Sequence, residues 1–416
     1  MGSSTMVNRD TVPTASAVAS TLDPYRRFAT ALSGLRLPAA FVDLDAIDRN
    51  GERLGARAQG VPVRLVTKSI RSVAMLRYLL DRFPYLQGLL CFSPAEAAWL
   101  ASQGFDDLVI AYPTVEPSEI ALVAAAVRGG ASITLMVDHA DQLDVIDRCA
   151  AAAGTTLPVA IDMDASTSFP GLHFGVYRSP VATAEAALAL AAAIARRPHL
   201  RLDGVMGYEG QIAGLNDAVP GQAVRNRIIR TLKARSIRDV HRRRGAIVAA
   251  LTAAGHRLRF VNGGGTGSFE STARDPSVTE LAAGSGFYLP GLFDHYAVDL
   301  GEPAAGFALP VTRRPAPGIV TCAGGGYPAS GPIGPDRLPK PWLPAGTTLI
   351  ENEGGGEVQT PVRLDTADAL PLGAPVFFRH AKAGELCERF DTLLLVRGDA
   401  IVDRVATYRG DGRCFF

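Results

Sequence analysis

The sequence predicts an α/β protein, a (β/α)8 barrel of the TIM type followed by a C-terminal antiparallel β domain, and three observations lead there. From about residue 60 to 290, short apolar or β-branched runs alternate with longer Ala/Leu-rich stretches of helical period, the pattern of a parallel βα protein. Eight strand candidates can be counted in that region, which favours a closed barrel over an open sheet. After residue 300 the texture changes to Pro- and Gly-rich sequence with short apolar runs, which reads as antiparallel strands joined by long loops. A length of 416 residues accommodates this plan, at about 150 residues per domain.

Taken in order, residues 1–36 form an N-terminal extension, 37–300 the barrel and 301–416 the β domain. The run Leu37–Asp45 precedes the first barrel strand, and assigning it to the second domain would make that domain discontinuous. The barrel strands are read at Val63–Lys68, Gly88–Ser93, Leu108–Pro113, Ser132–Asp138, Pro158–Asp164, Leu202–Glu209, Arg259–Gly263 and Phe287–Pro290. Helix starts are marked by Ser93-Pro94 and by Glu116-Pro117-Ser118-Glu119. The Arg-rich stretch Val224–Arg244 reads as a helix with a solvated outer face. In the β domain, strands are read at Gly318–Thr321, Thr347–Glu351, Val362–Leu364 and Thr392–Val396. The Pro/Gly-dense stretch Tyr327–Pro344 directly follows a Gly-rich turn, and a loop of that length points to function.

Composition narrows the class. Hydrophobic residues make up 47% and charged residues 20%, with 42 Lys and Arg against 41 Asp and Glu, so neither disorder nor a one-sign field is predicted. Nucleic-acid and anionic-membrane partners are disfavoured accordingly. Cys91, Cys149, Cys322, Cys387 and Cys414 are odd in number and scattered, which argues against a disulfide scaffold or a structural zinc site and fits a reducing cytoplasm. Cys322 and Cys387 read as small buried residues. Residues 1–23 lack the apolar core of a secretory signal, and no apolar run approaches the roughly 20 residues that span a bilayer.

Chemistry in such a barrel gathers where the strands end, with phosphate sites formed by the loops after the seventh and eighth strands. Asn262-Gly263-Gly264-Gly265-Thr266-Gly267-Ser268 follows the seventh candidate and Ala283-Gly284-Ser285-Gly286 lies at the eighth. Glycines let backbone N–H groups approach a phosphate closely, and Thr266, Ser268 and Ser285 add hydroxyl donors. Lys68 closes the first strand candidate, VRLVTK. A lysine enclosed there has its pKa lowered by desolvation and can form a Schiff base. A strand-end lysine facing two phosphate loops describes a pyridoxal 5′-phosphate site.

The ordered segments AFVDLDAIDRN, VRLVTKS, IDMD, HFGVYR, GVMGYEGQ, NGGGTGSF, ELAAGSG and FFRHAKAGE resemble the fold-type III pyridoxal-phosphate enzymes over about residues 38–400. Within them the chain is most similar to the D-threonine aldolase and D-serine dehydratase-like branch, relatives of alanine racemase. The resemblance implies that Lys68 is the Schiff-base lysine, that Tyr208 and Glu209 face the cofactor ring, and that Gly264, Gly265, Thr266, Gly284 and Ser285 bind its phosphate. The family's RPHVKTHK appears here as Arg64 to Arg71, keeping the arginine and the lysine but replacing two histidines by Val66 and Ile70. Asp162 and Asp164, at the end of the fifth strand, can face the cofactor or simply cap the strand.

The resemblance also implies a divalent metal near the substrate hydroxyl, held by His380 and by a Cys or Asp two residues on. Lys382 occupies that second position, and an ammonium cannot donate to a metal. Either other groups such as Glu385 complete the metal site, or the Lys382 ammonium itself polarises the hydroxyl beside His380. The implied reaction is retro-aldol cleavage of a D-3-hydroxy amino acid to glycine and an aldehyde. The alternatives are D-serine or D-threonine dehydration to a 2-oxo acid and ammonia, and racemisation, for which Tyr327 or Tyr408 would supply a second base. A non-catalytic pyridoxal-phosphate carrier is disfavoured by the C-terminal hundred or so residues, while a phosphate-sugar barrel enzyme would not need Lys68. The family's usual assembly implies a homodimer.

Overall fold

The computed structural model describes residues 23–332, 334–365, 370–382 and 384–415; most of the predicted N-terminal extension, residues 1–22, lies outside them. In chain order, the strand β1 (Ala39–Asp43) is followed by the parallel strands β2 (Val63–Val66), β3 (Leu86–Cys91), β4 (Leu108–Ile110), β5 (Ile133–Val137) and β6 (Leu157–Asp162). A hairpin of β7 (Thr167–Phe169) and β8 (Leu172–Phe174) intervenes before β9 (Leu200–Gly207), β10 (Phe260–Gly263) and β11 (Glu280–Ala283). Strands β2 to β6 and β9 to β11 close into a barrel of eight. Every residue of β5 and β6 is buried, as expected of parallel strands covered on both faces.

Seven of the predicted barrel strands overlap observed ones. The eighth does not: Phe287–Pro290 was read as a strand, but the strand is Glu280–Ala283, and Phe287 and Tyr288 belong to the short helix Ser285–Tyr288. The buried acid Glu280 disguises the true strand. Its carboxylate accepts a bidentate pair from Arg64, Nε to Oε1 at 2.7 Å and Nη2 to Oε2 at 2.8 Å, so that the first and last strands of the barrel are joined by an ion pair. Gln87 and Asn262 donate to the same carboxylate at 3.2 and 2.9 Å. Inside the barrel Leu90, Val109, Met136, Ala160, Met206, Phe260 and Ala282 form their own apolar cluster, which floors the mouth above it.

The predicted helix starts are present. Ser93 Oγ accepts from the Glu96 N–H at 3.1 Å, with Pro94 at the first helical position, and the Glu116 carboxylate accepts from the Ser118 N–H at 3.2 Å. The Arg-rich helix runs Ala223–Ala253. Its outer face is solvated as expected, with Val224 and Ile228 exposed, but Arg244 is fully buried. Among the described residues no helix is long and apolar enough to cross a membrane.

Beyond the barrel lie β12 (Ala305–Ala316), β13 (Ile319–Ala323), β14 (Lys340–Leu343), β15 (Thr348–Leu349), β16 (Gln359–Arg363), β17 (Pro375–Arg379), β18 (Thr392–Arg397) and β19 (Ala400–Ala406). With β1 they form a nine-stranded sheet. It is antiparallel except where β1 runs parallel to β18, Phe41 opposite Leu394; on its other edge β1 pairs antiparallel with β12, Phe41 opposite Gly306. Phe41 is fully buried and its ring lies 4.7 Å from that of Phe28 and 5.7 Å from that of Phe377. All five cysteines are free, with Cys322 and Cys387 buried.

Phe41→Ala should therefore destabilise the protein by about 3–5 kcal/mol, the usual loss for a buried phenylalanine. Urea denaturation would read it; a loss below about 1 kcal/mol would show that β1 is not an integral strand of this sheet.

Candidate active site

Strand β2 ends at Val66, and a single 3-10 turn, Thr67–Ser69, carries Lys68 to the C-terminal mouth of the barrel. Its Nζ donates to the phenolic oxygen of Tyr112, two residues beyond β4, at 2.9 Å. The guanidinium of Arg178 lies between the rings of Tyr112 and Tyr208, 5.1 Å from each centroid. These four side chains form one wall of a cavity of about 460 Å³.

The glycine loops form another wall. Gly264, Gly265 and Thr266 follow β10, and Gly284 and Ser285 follow β11. Gly264 has φ +85°, a backbone conformation that costs glycine little. A Cβ at Gly265 would come within 3.0 Å of the Tyr208 ring, and one at Gly284 within 2.5 Å of the Val66 carbonyl oxygen. Glycine at these two positions thus keeps the cradle open and lets β11 approach the lysine-bearing turn. Ser69 and Ser285 meet there, Oγ to Oγ at 3.0 Å. Ser268, expected as a phosphate donor, is buried and accepts from the Gly265 N–H at 3.1 Å, so it shapes the loop from behind.

Glu209, expected to face a cofactor ring, is turned away from the cavity. Its Oε2 accepts from the Gly264 N–H at 2.8 Å and its Oε1 from Thr272 at 3.4 Å, while Arg244 donates to Oε1 as well. Arg244 also donates to Asp275 at 2.7 Å and to the Gly207 carbonyl at 3.0 Å. Glu209 acts through the loop it holds. Asp162 and Asp164 lie outside the cavity wall: Asp164 accepts from Ser166, and Asp162 is buried with one unpartnered oxygen, its pKa pushed up to about 7 by burial.

The C-terminal residues part company. Lys382 lines the cavity, where its Nζ donates to Ser330 Oγ at 3.0 Å and to the Ser330 carbonyl at 3.2 Å. His380 does not reach it. It is buried, its ring edge-on to that of Tyr288 with centroids 6.4 Å apart, and burial, with the charge of Arg379, drives its pKa down to about 3. Glu385 accepts from the Ala381 and Lys382 N–H groups at 3.3 Å each. Among the described residues no three His, Cys, Asp or Glu side chains come together in a way that could hold a metal ion, and the metal expectation centred on His380 finds no donor set. Tyr327 is half exposed and bonded to Glu357 at 2.6 Å, and Tyr408 is buried against Glu96 at 3.0 Å, so neither lines the cavity.

Sequence reasoning missed Tyr112, Arg178 and Arg337, all of which line the cavity. Tyr112 sat inside a predicted strand end and Arg178 closed the HFGVYR segment, signals of position without chemistry. Burial pushes the Tyr112 phenol up, but the charges and hydrogen bonds of Lys68 and Arg178 outweigh it and leave the pKa below the ordinary value. Burial raises that of Tyr208. The Lys382 amine is lowered by burial and by the charges of Arg337 and Lys68. A planar aromatic aldehyde bearing a phosphate fits this donor set: an amine beside aromatic faces, with a glycine cradle and two hydroxyls opposite.

The family model described as "Alanine racemase, N-terminal domain" matches residues 42–289. A 3-hydroxy-D-aspartate aldolase of Paracoccus denitrificans (strain Pd 1222) is 28% identical over 61% of this chain and 60% of its own. A D-threonine aldolase of an Arthrobacter species is 27% identical over 76% of this chain and 77% of its own. The crystal structure of D-threonine aldolase from Filomicrobium marinum superposes with a TM-score of 0.77 at 21% identity, covering 91% of this chain and 96% of that one. The match thus spans about three fifths of the Paracoccus aldolase.

Arg244→Met would leave Glu209 and Asp275 buried without their cation. A loss of about 3–5 kcal/mol in chemical denaturation is expected, and part of it should return when Glu209→Gln and Asp275→Asn remove the stranded charges.

Proposed function

Because the chain belongs to the family of the alanine racemase N-terminal domain, we propose that it is a pyridoxal 5′-phosphate-dependent lyase that cleaves a D-3-hydroxy amino acid to glycine and an aldehyde. One observation carries the reading: Lys68 and the two glycine loops, far apart in sequence, bound a single cavity of about 460 Å³. The names of the relatives, aldolases of D-threonine and 3-hydroxy-D-aspartate, support the choice of reaction.

Pyridoxal phosphate, when bound, supplies an electron sink for a bond that breaks at the substrate's α-carbon. Lys68 would hold it covalently, and Gly264, Gly265, Thr266, Gly284 and Ser285 would take its phosphate through N–H and hydroxyl donors. Tyr208 would flank the ring. Arg178, fixed between two aromatic faces, is placed to orient the substrate carboxylate. Tyr112, held toward its ionised form by Lys68 and Arg178, is the group to accept the proton of the β-hydroxyl. Lys382, anchored by Ser330, is placed to stabilise the negative charge that develops on the β-oxygen as its proton leaves to Tyr112. Accepting a proton from the hydroxyl, rather than giving one to it, favours cleavage over dehydration. The five free cysteines fit a cytoplasmic enzyme, and a homodimer completes the reading.

Incubation of the pyridoxal-phosphate-loaded protein with D-threonine should yield glycine and acetaldehyde by mass spectrometry, and Lys68→Ala should lose both the products and the visible absorbance. Ammonia with 2-oxobutanoate would identify a dehydratase instead, and inversion without cleavage a racemase. With wild-type enzyme, kcat/KM should rise with pH through one ionisation below the phenol's usual value of about 10. Tyr112→Phe should lack that limb and be about 10²- to 10⁴-fold slower.

A further inference from the structure

Lys68 and Lys382 line one cavity but belong to different parts of the fold, and among the described residues no strand of the barrel pairs with a strand of the nine-stranded sheet. Lys68 sits on a single 3-10 turn after β2, and Lys382 on the chain beyond β17. Their relative placement therefore falls to side chains and loops, and Arg71 meets both segments.

Arg71 has φ +47°, a left-handed backbone conformation that is unfavourable for a residue with a Cβ and persists where the surroundings over-determine it. Here they do. Its N–H donates to the Thr67 carbonyl at 3.0 Å, and its carbonyl accepts from the Tyr408 N–H at 2.9 Å. Beside it Ser72 Oγ donates to the Ala406 carbonyl at 2.7 Å. The Arg71 side chain returns to the lysine turn, where Nε donates to the Lys68 carbonyl at 3.0 Å. Its Nη1 donates to the carboxylate of Glu388, in the 3-10 turn Leu386–Glu388 of the β domain. The guanidinium lies 4.9 Å from the centroid of the Phe92 ring. Gly384, two residues past Lys382, packs on the same point: a Cβ there would collide with the Lys68 carbonyl oxygen and come within 2.8 Å of Arg71 Nε.

We propose that Arg71 is a positioning residue: it fixes the lysine turn of the barrel to the segment of the β domain that carries Lys382 and Glu388, and so sets the separation of the two amines. That this separation matters for turnover rests on the lyase reading above; the brace itself does not. A misplacement of about 1 Å at a reacting group is enough to slow a reaction about 100-fold.

Cross-linking reads the separation directly. The chain has four lysines, Lys68, Lys233, Lys340 and Lys382, so the products of a short amine-to-amine reagent on the full chain freed of cofactor are readily assigned by mass spectrometry. Wild type should bridge Lys68 to Lys382, and the yield should fall about 10-fold in Arg71→Gln as the effective concentration of one amine at the other drops. On the loaded enzyme with D-threonine, kcat should fall about 100-fold in Arg71→Gln with little change in KM, the pattern of lost transition-state geometry. Arg71→Lys, which reaches one of the two acceptors, should recover part of it. Glu388 is not among the described residues lining the cavity, yet Glu388→Gln should act in the same direction, with no further loss when combined with Arg71→Gln. Arg71→Gly separates rate from folding: glycine adopts φ +47° without strain, so this variant should melt no lower than Arg71→Gln and still lose kcat. Absence of the Lys68–Lys382 bridge in wild type, an undiminished yield or an unchanged kcat in Arg71→Gln and Arg71→Gly, or losses that add in the double variant would overturn the proposal. If neither D-threonine nor 3-hydroxy-D-aspartate is turned over while the bridge still depends on Arg71, the brace stands and the lyase reading fails.

Discussion

Closure of the barrel is the constraint on which the site depends, and the contact that marks it is the bidentate pair between Arg64 on β2 and Glu280 on β11. A buried pair of this kind adds little net stability, because desolvation offsets the attraction, yet either half alone would be a stranded charge. Its consequence is register. Arg64 lies opposite Ala282 in the pairing of β2 with β11, so two residues further on Gly284 comes beside Val66, where the lysine turn begins. The serine contact at 3.0 Å between Ser69 and Ser285 is where that alignment is completed.

A second buried ion cluster supports the facing loop. Arg244 reaches from the long helix to Glu209 and Asp275, and Glu209 accepts from the Gly264 N–H. The loop must leave a cradle open, so it cannot be filled from the cavity side; it is held from behind by charge-assisted hydrogen bonds, which are stronger and more directional than neutral ones. The sites of chemistry and of support are thus adjacent in sequence but opposite in direction, as Tyr208 lines the cavity and Glu209 turns its back to it.

The nine-stranded sheet contributes in a different way. Strand β17 ends at Arg379, and the chain beyond it buries His380 away from the cavity while presenting Lys382 to it. The stretch Tyr327–Pro344 brings Ser330 and Arg337 to the same wall. The barrel therefore provides the amine, the aromatic faces, the glycine cradle, Arg71 and Arg178, and the C-terminal region adds Arg337 and Lys382.

Taken alone, the sequence determined the architecture and the two ends of the site. Periodicity and turn residues report local structure, and a lysine or a glycine run at a strand end is a local signal; Lys68, Gly264, Gly265, Thr266, Gly284 and Ser285 could be read that way. Even here a buried charge misled, since Glu280 hid the last strand. Only the tertiary structure decided the rest. Whether a residue is in the site depends on which way its side chain leaves the backbone and what it meets from distant segments, so it brought in Tyr112, Arg178 and Arg337, turned Glu209 and Ser268 to support, and sealed His380 away while leaving Lys382 in place. It also joined β1 to strands more than 260 residues later, a partner and register that the sequence, which only raised the assignment of Leu37–Asp45 to the second domain, does not specify.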